Sequence, residues 1–227
     1  MKIVKLFLIA LLICSGFASN AQTSVWDSTF RPATFSIKRE QFKSYKSSIK
    51  DIVFLGNSIT ANTDWQELLQ SENVKNRGIS GDITFGILER LKDITDTKPA
   101  KIFLLIGIND ISRNIPDKQI LTNYRKIVSG IRTESPNTKI YLHTLMPVNH
   151  TFEKFKNHYG KDEHILLVNE AIRKMADLKM IYVIDLYPHF LDENKRMKAE
   201  LTHDGLHLTA AGYQVWAKLL LEGNYLK

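Results

Sequence analysis

Five short apolar runs recur along this chain, separated by stretches long enough to hold helices. Ile52-Val53-Phe54-Leu55 closes at Gly56, and Val74 to Arg77 is short and more polar. Ile102 to Ile106 is wholly apolar, and Ile140 to Leu145 and Ile181 to Ile184 follow. A continuous apolar run of this length reads as a strand buried on both faces, because a half-exposed strand would alternate. The intervening segments carry helical spacing: Trp65, Leu68 and Leu69; Ile83, Ile87, Leu88 and Leu91; and Ile120, Tyr124, Ile127, Val128 and Ile131 within residues 117–133. Ser135-Pro136-Asn137 closes the last of these. Further helices are expected over residues 35–49, from Phe35, Phe42, Tyr45 and Ile49, over 162–178, and from a cap at Thr209 to about Leu221. No longer period repeats. Strands alternating with helices imply parallel βαβ units with right-handed crossovers. The fold class is therefore α/β, a three-layer α/β/α sandwich around a parallel sheet of about five strands. Such sheets bind ligands outside the carboxyl ends of their strands.

The first residues are not part of that pattern. Lys2 and Lys5 precede nine apolar residues, Leu6 to Cys14, and Ser19-Asn20-Ala21 then places small residues where a signal peptidase cuts. This is the layout of a secretory signal peptide over residues 1–21, and it predicts a secreted or periplasmic protein. The apolar run is shorter than the roughly 20 residues of a membrane span, so no stable membrane insertion is expected. An uncleaved N-terminal anchor is the alternative. Residues 22–227 are then one domain, large enough for its own core. The only cysteine, Cys14, leaves with the signal, so that domain holds no disulfide and no thiolate metal site. The formal charge of +7 falls to +5 with Lys2 and Lys5 removed, and the basic residues are mixed with acids. No basic stripe interleaved with aromatics marks a nucleic-acid surface.

Four polar segments follow strands or precede the last helix. They are Gly56-Asn57-Ser58-Ile59-Thr60, Asn76-Arg77-Gly78-Ile79-Ser80-Gly81-Asp82, Gly107-Ile108-Asn109-Asp110, and Asp204-Gly205-Leu206-His207-Leu208. Each alone fits an ordinary turn or helix cap. In this order and placement they resemble the four blocks of the SGNH hydrolases, the GDSL-like esterases and lipases, from Ile52 to about Gly212. The resemblance implies a flavodoxin-like SGNH fold. It makes Ser58 the nucleophile, and Asp204 and His207 its acid and base partners. The oxyanion hole it implies is formed by the backbone amides of Ser58 and Gly78 and the side chain of Asn109. The name-giving Gly-Asp-Ser-Leu is Gly56-Asn57-Ser58-Ile59 here, with Asn57 in the place of the acid.

The chemistry explains why such residues would be needed. A serine hydroxyl requires a base within hydrogen-bond reach, and an imidazole needs a carboxylate to orient it. Charge developing on the carbonyl oxygen needs fixed donors. A helix starting at Ser58 would add a favourable field. No metal or cofactor is called for. His150, His158 and His164 are spaced by eight and six, which fits no helical metal site, and they fall in or beside a polar stretch over Asn149–Lys161 that reads as a surface loop. His143 inside strand four reads as a packed, hydrogen-bonded residue. His189 and His203 read as surface residues, His203 close enough to touch substrate. Arg77 could face a polar or anionic substrate or form a surface salt bridge. The expected activity is hydrolysis of a small acyl ester, acetyl in the first instance, on a small molecule or an O-acetylated carbohydrate. A lipid-directed acylhydrolase is the alternative within the enzymes. A non-catalytic glycan-binding module on the same scaffold is the alternative outside them.

Overall fold

The computed structural model describes residues 26–227. The signal peptide expected over residues 1–21 lies outside the described residues. In chain order the elements are α1 (Phe35–Ser44), β1 (Ile52–Gly56), α2 (Ser58–Ala61), α3 (Trp65–Leu69), β2 (Val74–Gly78), α4 (Thr84–Thr95), β3 (Lys101–Leu105), α5 (Ile108–Ser112) and α6 (Asp117–Glu134). Then come β4 (Lys139–His143), α7 (Asp162–Arg173), β5 (Ile181–Ile184), α8 (Tyr187–Phe190) and α9 (Ala210–Glu222). The strands pair in parallel, in the order β2-β1-β3-β4-β5, and helices cover the sheet. Among the described residues no helix is long and apolar enough to cross a membrane.

The sheet is held by what its register brings together. Phe54, Phe103, Tyr141 and Tyr182 are direct partners across β1, β3, β4 and β5. Their rings stack with centroids 4.8, 4.5 and 5.1 Å apart. Cross-strand aromatic pairs of this kind contribute beyond their buried area. Trp65 of α3 stacks on Phe54 at 4.2 Å, and Trp216 of α9 meets Trp65 edge-on at 4.7 Å, so one aromatic cluster ties a helical layer to the sheet. The edge strand β2 is blunted by its own neighbours. Gln66 Nε2 donates to the Val74 carbonyl at 2.9 Å, and the Gly78 amide donates to Asn76 Oδ1 at 2.8 Å.

Two expected helices end early. The first stops at Ser44 rather than 49, leaving Ile49 exposed. Asp51 Oδ2 accepts from the Ser48 amide at 2.9 Å and turns the chain into β1. The helix expected to reach 178 stops at Arg173. Asp177 Oδ1 accepts from the amides of Lys179, Met180 and Ile181, an arrangement that competes with helix.

His143 is the packed residue its place in a strand implied. It is fully buried, accepts from Trp216 Nε1 at 3.1 Å and sits 3.3 Å from the Leu104 carbonyl. Burial pushes its imidazole down to about 3. An unfolded histidine titrates near about 6.5, so between those values the unfolded chain binds more protons and stability falls as pH falls. From pH 7 to 4.5 this one group removes about 2–3 kcal/mol. In urea denaturation at those two pH values, His143→Gln is expected to shrink the acid deficit by about that amount. Equal deficits in both proteins would place the acid sensitivity elsewhere.

Candidate active site

The carboxyl ends of β1, β2 and β3 deliver three of the four polar segments to one edge of the sheet. Ser58 opens α2 immediately after β1. Asn57 caps that turn, its Oδ1 accepting from the Ile59 amide at 3.0 Å. This is the local bonding an aspartate would supply, so Asn57 serves it. The Asn57 Nδ2, which an aspartate would lack, is buried without a hydrogen-bond partner among the described residues. The helix that follows spans only four residues, too short for the aligned dipole expected of a longer one.

Ser58 Oγ lies 2.9 Å from His207 Nε2, and His207 Nδ1 lies 2.7 Å from Asp204 Oδ2. The other Asp204 oxygen accepts from the backbone amides of His207 and Leu206, at 2.7 and 2.9 Å. The three-residue spacing thus closes one turn in which a single carboxylate holds both the ring and the backbone of His207. Burial pushes the Asp204 carboxyl up, but the His207 amide, the His207 ring and the Leu206 amide outweigh it and hold it below the usual range. Asp204 is therefore ionised at neutral pH, as an orienting carboxylate must be. Thr202 Oγ1 donates to the His207 carbonyl at 2.7 Å and accepts from the Gly205 amide at 2.9 Å, which ties the turn to the segment that enters it. Phe155 meets the His207 ring edge-on at 5.1 Å. His203 is exposed and lies nearly parallel to it at 6.1 Å. The ligating atoms of His203, Asp204 and His207 fall within 4.8 Å of one another, but Asp204 and His207 already bond each other.

Asn109, in α5 after β3, has its Nδ2 2.9 Å from the Asp82 carbonyl, leaving its second N–H unassigned. Gly78 does not have the geometry expected of it. Its amide is taken by Asn76 Oδ1, and it is buried in β2 under α2, where a Cβ would meet Ala61 N at 2.4 Å. That glycine serves close packing. Gly81, three residues on, is partly exposed at φ +80° in the loop whose Asp82 carbonyl holds Asn109, and its amide has no acceptor among the described residues.

Two groups differ from their sequence expectation. Arg77 donates to the Asn76 carbonyl at 3.0 Å and forms no salt bridge among the described residues. It is buried, with its guanidinium over the rings of Phe42 and Tyr45 at 5.0 and 5.5 Å. His158, expected on a surface loop, is buried and 3.4 Å from Asn109 Oδ1. His150, His164, His189 and His203 are exposed as read. Arg90, which no sequence motif marks, is fully buried. It donates to Asp82 Oδ2 at 3.0 Å, to the Arg77 carbonyl at 2.8 Å and to the Gly56 carbonyl at 3.1 Å, linking the segment that carries Ser58 to the one that carries Gly78 and Gly81. Asp110 is likewise buried, pushed up to about 7 by burial, and accepts from the Thr84 amide at 3.0 Å. It anchors α5 to α4.

A hydroxyl, an imidazole and a carboxylate in hydrogen-bond series at the carboxyl edge of a parallel sheet is an arrangement that serine hydrolases use. The chain belongs to the GDSL-like Lipase/Acylhydrolase family, whose pattern it matches over residues 54–215. It is 27% identical over 183 residues to platelet-activating factor acetylhydrolase IB subunit alpha2 of Rattus norvegicus, covering 78% of this chain and 77% of that protein. A solved structure from Streptococcus pneumonia, provisionally described as a platelet activating factor, is 31% identical. It superposes with a TM-score of 0.75, covering 86% of this chain and 92% of that one. A catalytic mutant of an acetylxylan esterase from Geobacillus stearothermophilus shares the fold at 20% identity and a TM-score of 0.58, covering 78% and 94% of the two chains. The five-stranded parallel architecture is that of these hydrolases, and the protein is a carboxylic ester hydrolase.

Proposed function

We propose that the protein is a serine esterase that removes short acyl groups, acetyl first among them, from a polar alcohol such as a sugar. The observation that carries this is the unbroken series Ser58 Oγ, His207 Nε2, His207 Nδ1, Asp204 Oδ2 at 2.9 and 2.7 Å. Ser58 Oγ attacks the ester carbonyl while His207 Nε2 takes its proton. The oxyanion is met by the amides of Ser58 and Gly81 and by the free Nδ2–H of Asn109, with Gly81 in place of Gly78. The C–O bond of the ester then breaks, His207 returns the proton to the departing alcohol, and the acyl group stays on Ser58. Water, deprotonated by the same imidazole, releases the acid and restores the hydroxyl. Asp204 stays ionised throughout.

The acetyl preference draws on two relatives whose names specify acetyl groups, an acetylhydrolase and an acetylxylan esterase. Their alcohols differ, a lipid in one and a xylan in the other. The segment beside the site carries Lys154, Lys156, Asn157 and Lys161, a polar border that favours a sugar over an acyl-lipid surface. Export through residues 1–21 belongs to the same reading, since it would bring the enzyme to extracellular glycans.

Residues 22–227 are expected to hydrolyse p-nitrophenyl acetate with kcat/KM at least about tenfold above that for the octanoate, a discrimination of about 1.4 kcal/mol. They are also expected to release acetate from acetylated xylan. A preference for octanoate, with no acetate released from the glycan, would replace this reading with the lipid-directed one.

A further inference from the structure

An asparagine amide can sit in its site in two orientations related by a half-turn, and only one presents an N–H to a developing oxyanion. For Asn109 two neighbours bear on the choice. The Asp82 carbonyl accepts from one end of the amide at 2.9 Å, and His158 Nε2 faces the other end at 3.4 Å. With Nε2 protonated, the flipped orientation would set donor against donor at His158 and acceptor against acceptor at Asp82. His158 is itself well held. It is buried to 6% exposure, and its amide donates to the Phe155 carbonyl at 2.9 Å. Lys161, three residues on, clamps the loop to the helix that carries Asn109, donating to the carbonyls of Ile111 and Ser112 at 2.8 and 3.1 Å. Burial first, then the charges of Lys161, His207 and Arg113, push the His158 imidazole down to about 4, so it is neutral in the working range and carries one ring proton. Its Nδ1 lies 3.1 Å from Oδ1 of the exposed Asn157, an oxygen that would accept a proton held on Nδ1. A half-turn of that amide supplies a donor to Nδ1 and leaves the proton on Nε2.

We propose that His158 is a positioning residue, whose Nε2–H holds Asn109 Oδ1 so that the second Nδ2–H points at the substrate oxyanion. This rests on the reading that Asn109 is an oxyanion donor. The loop Asn149–Lys161 is then part of the catalytic apparatus: Phe155 borders His207, and His158 borders Asn109. Small misalignment of a fixed donor is enough to lower turnover, and a donor that acts only on the transition state changes kcat rather than KM.

The test uses p-nitrophenyl acetate with four proteins: His158→Phe, His158→Gln, Asn109→Ala and the double variant Asn109→Ala/His158→Phe. Asn109→Ala is expected to lower kcat by about 10²–10³-fold. His158→Phe, which keeps a ring in the buried site but has no donor, is expected to lower kcat by about tenfold with KM within about twofold of wild type. His158→Gln, whose amide can donate in the same direction, is expected to recover most of the loss. In the Asn109→Ala background His158→Phe is expected to add nothing, because residues acting through one another are not additive. Circular dichroism establishes that His158→Phe is folded, and His158→Leu takes its place if it is not. Wild-type kcat in His158→Phe, no recovery in His158→Gln, or a further tenfold loss in the double variant would each overturn the positioning role. Wild-type kcat in Asn109→Ala would instead overturn the oxyanion reading beneath it.

Discussion

Ser58→Ala is expected to lower kcat on acetyl esters by about 10⁴–10⁶-fold while leaving the thermal midpoint within a few degrees of wild type. The size follows from the loss of the hydroxyl placed 2.9 Å from His207 Nε2. Without it no acyl-enzyme forms, and what remains is the modest catalysis that oxyanion donors and binding give to direct attack by water. The small effect on stability follows from the packing. Among the described residues the Ser58 hydroxyl bonds His207 alone, and the turn around it is held by other groups, with Asn57 Oδ1 on the Ile59 amide and Arg90 on the Gly56 carbonyl. Circular dichroism and steady-state kinetics on the same preparation check both halves. Turnover within tenfold of wild type would remove Ser58 from the mechanism.

Arg90→Leu carries the largest expected effect on stability. Arg90 is 1% exposed and Asp82 fully buried, and they pair at 3.0 Å. Burial pulls the Arg90 guanidinium down and pushes the Asp82 carboxyl up, and each is opposed by the charge of the other. Such a pair contributes little net stability when intact, but removing one member strands the other in a medium of low polarity. The carbonyls of Gly56 and Arg77 lose a donor at the same time. The expected cost is about 3–5 kcal/mol by urea denaturation. Asp82→Asn combined with Arg90→Leu should be destabilised by less than the sum of the two single variants, because the second change removes the stranded charge. A single-variant cost below about 1 kcal/mol would contradict this account of Arg90. The pair also bears on function: Arg90 reaches the carbonyl two residues before Ser58, and the Asp82 it holds carries the carbonyl that bonds Asn109.

The sheet was legible because its strands are buried on both faces. Ile52 to Leu55 and Ile102 to Leu105 have no alternative to a covered parallel sheet, and the structure forms one over those residues. Helix ends were less legible. What turns the chain into the next strand after α1 and α7 is a side-chain oxygen on a backbone amide, from Asp51 in one case and Asp177 in the other, and such local bonds leave no mark on apolar spacing. In the site, Ser58, Asn109, Asp204 and His207 could be found because each lies beside a strand end or in one turn. Gly78 and Gly81 sit three residues apart in the same segment, and the choice between them depends on where one amide points. Sequence does not record that, and the bond from the Gly78 amide to Asn76 Oδ1 is what favours Gly81 in the proposed mechanism. His158 and Arg90 could not have been found by spacing. The first reaches Asn109 across 49 residues through a loop of irregular backbone, and the second reads as one more charge on an amphipathic helix.

The central claim is that Ser58 is a nucleophile activated by His207, and covalent labelling tests it most directly. Residues 22–227 would be treated with a fluorophosphonate, digested and analysed by mass spectrometry beside Ser58→Ala. The expected result is one label per chain, on Ser58, with activity lost in step with labelling and no label on the variant. An active enzyme that stays unlabelled, or that loses activity through a label on another residue, would contradict it.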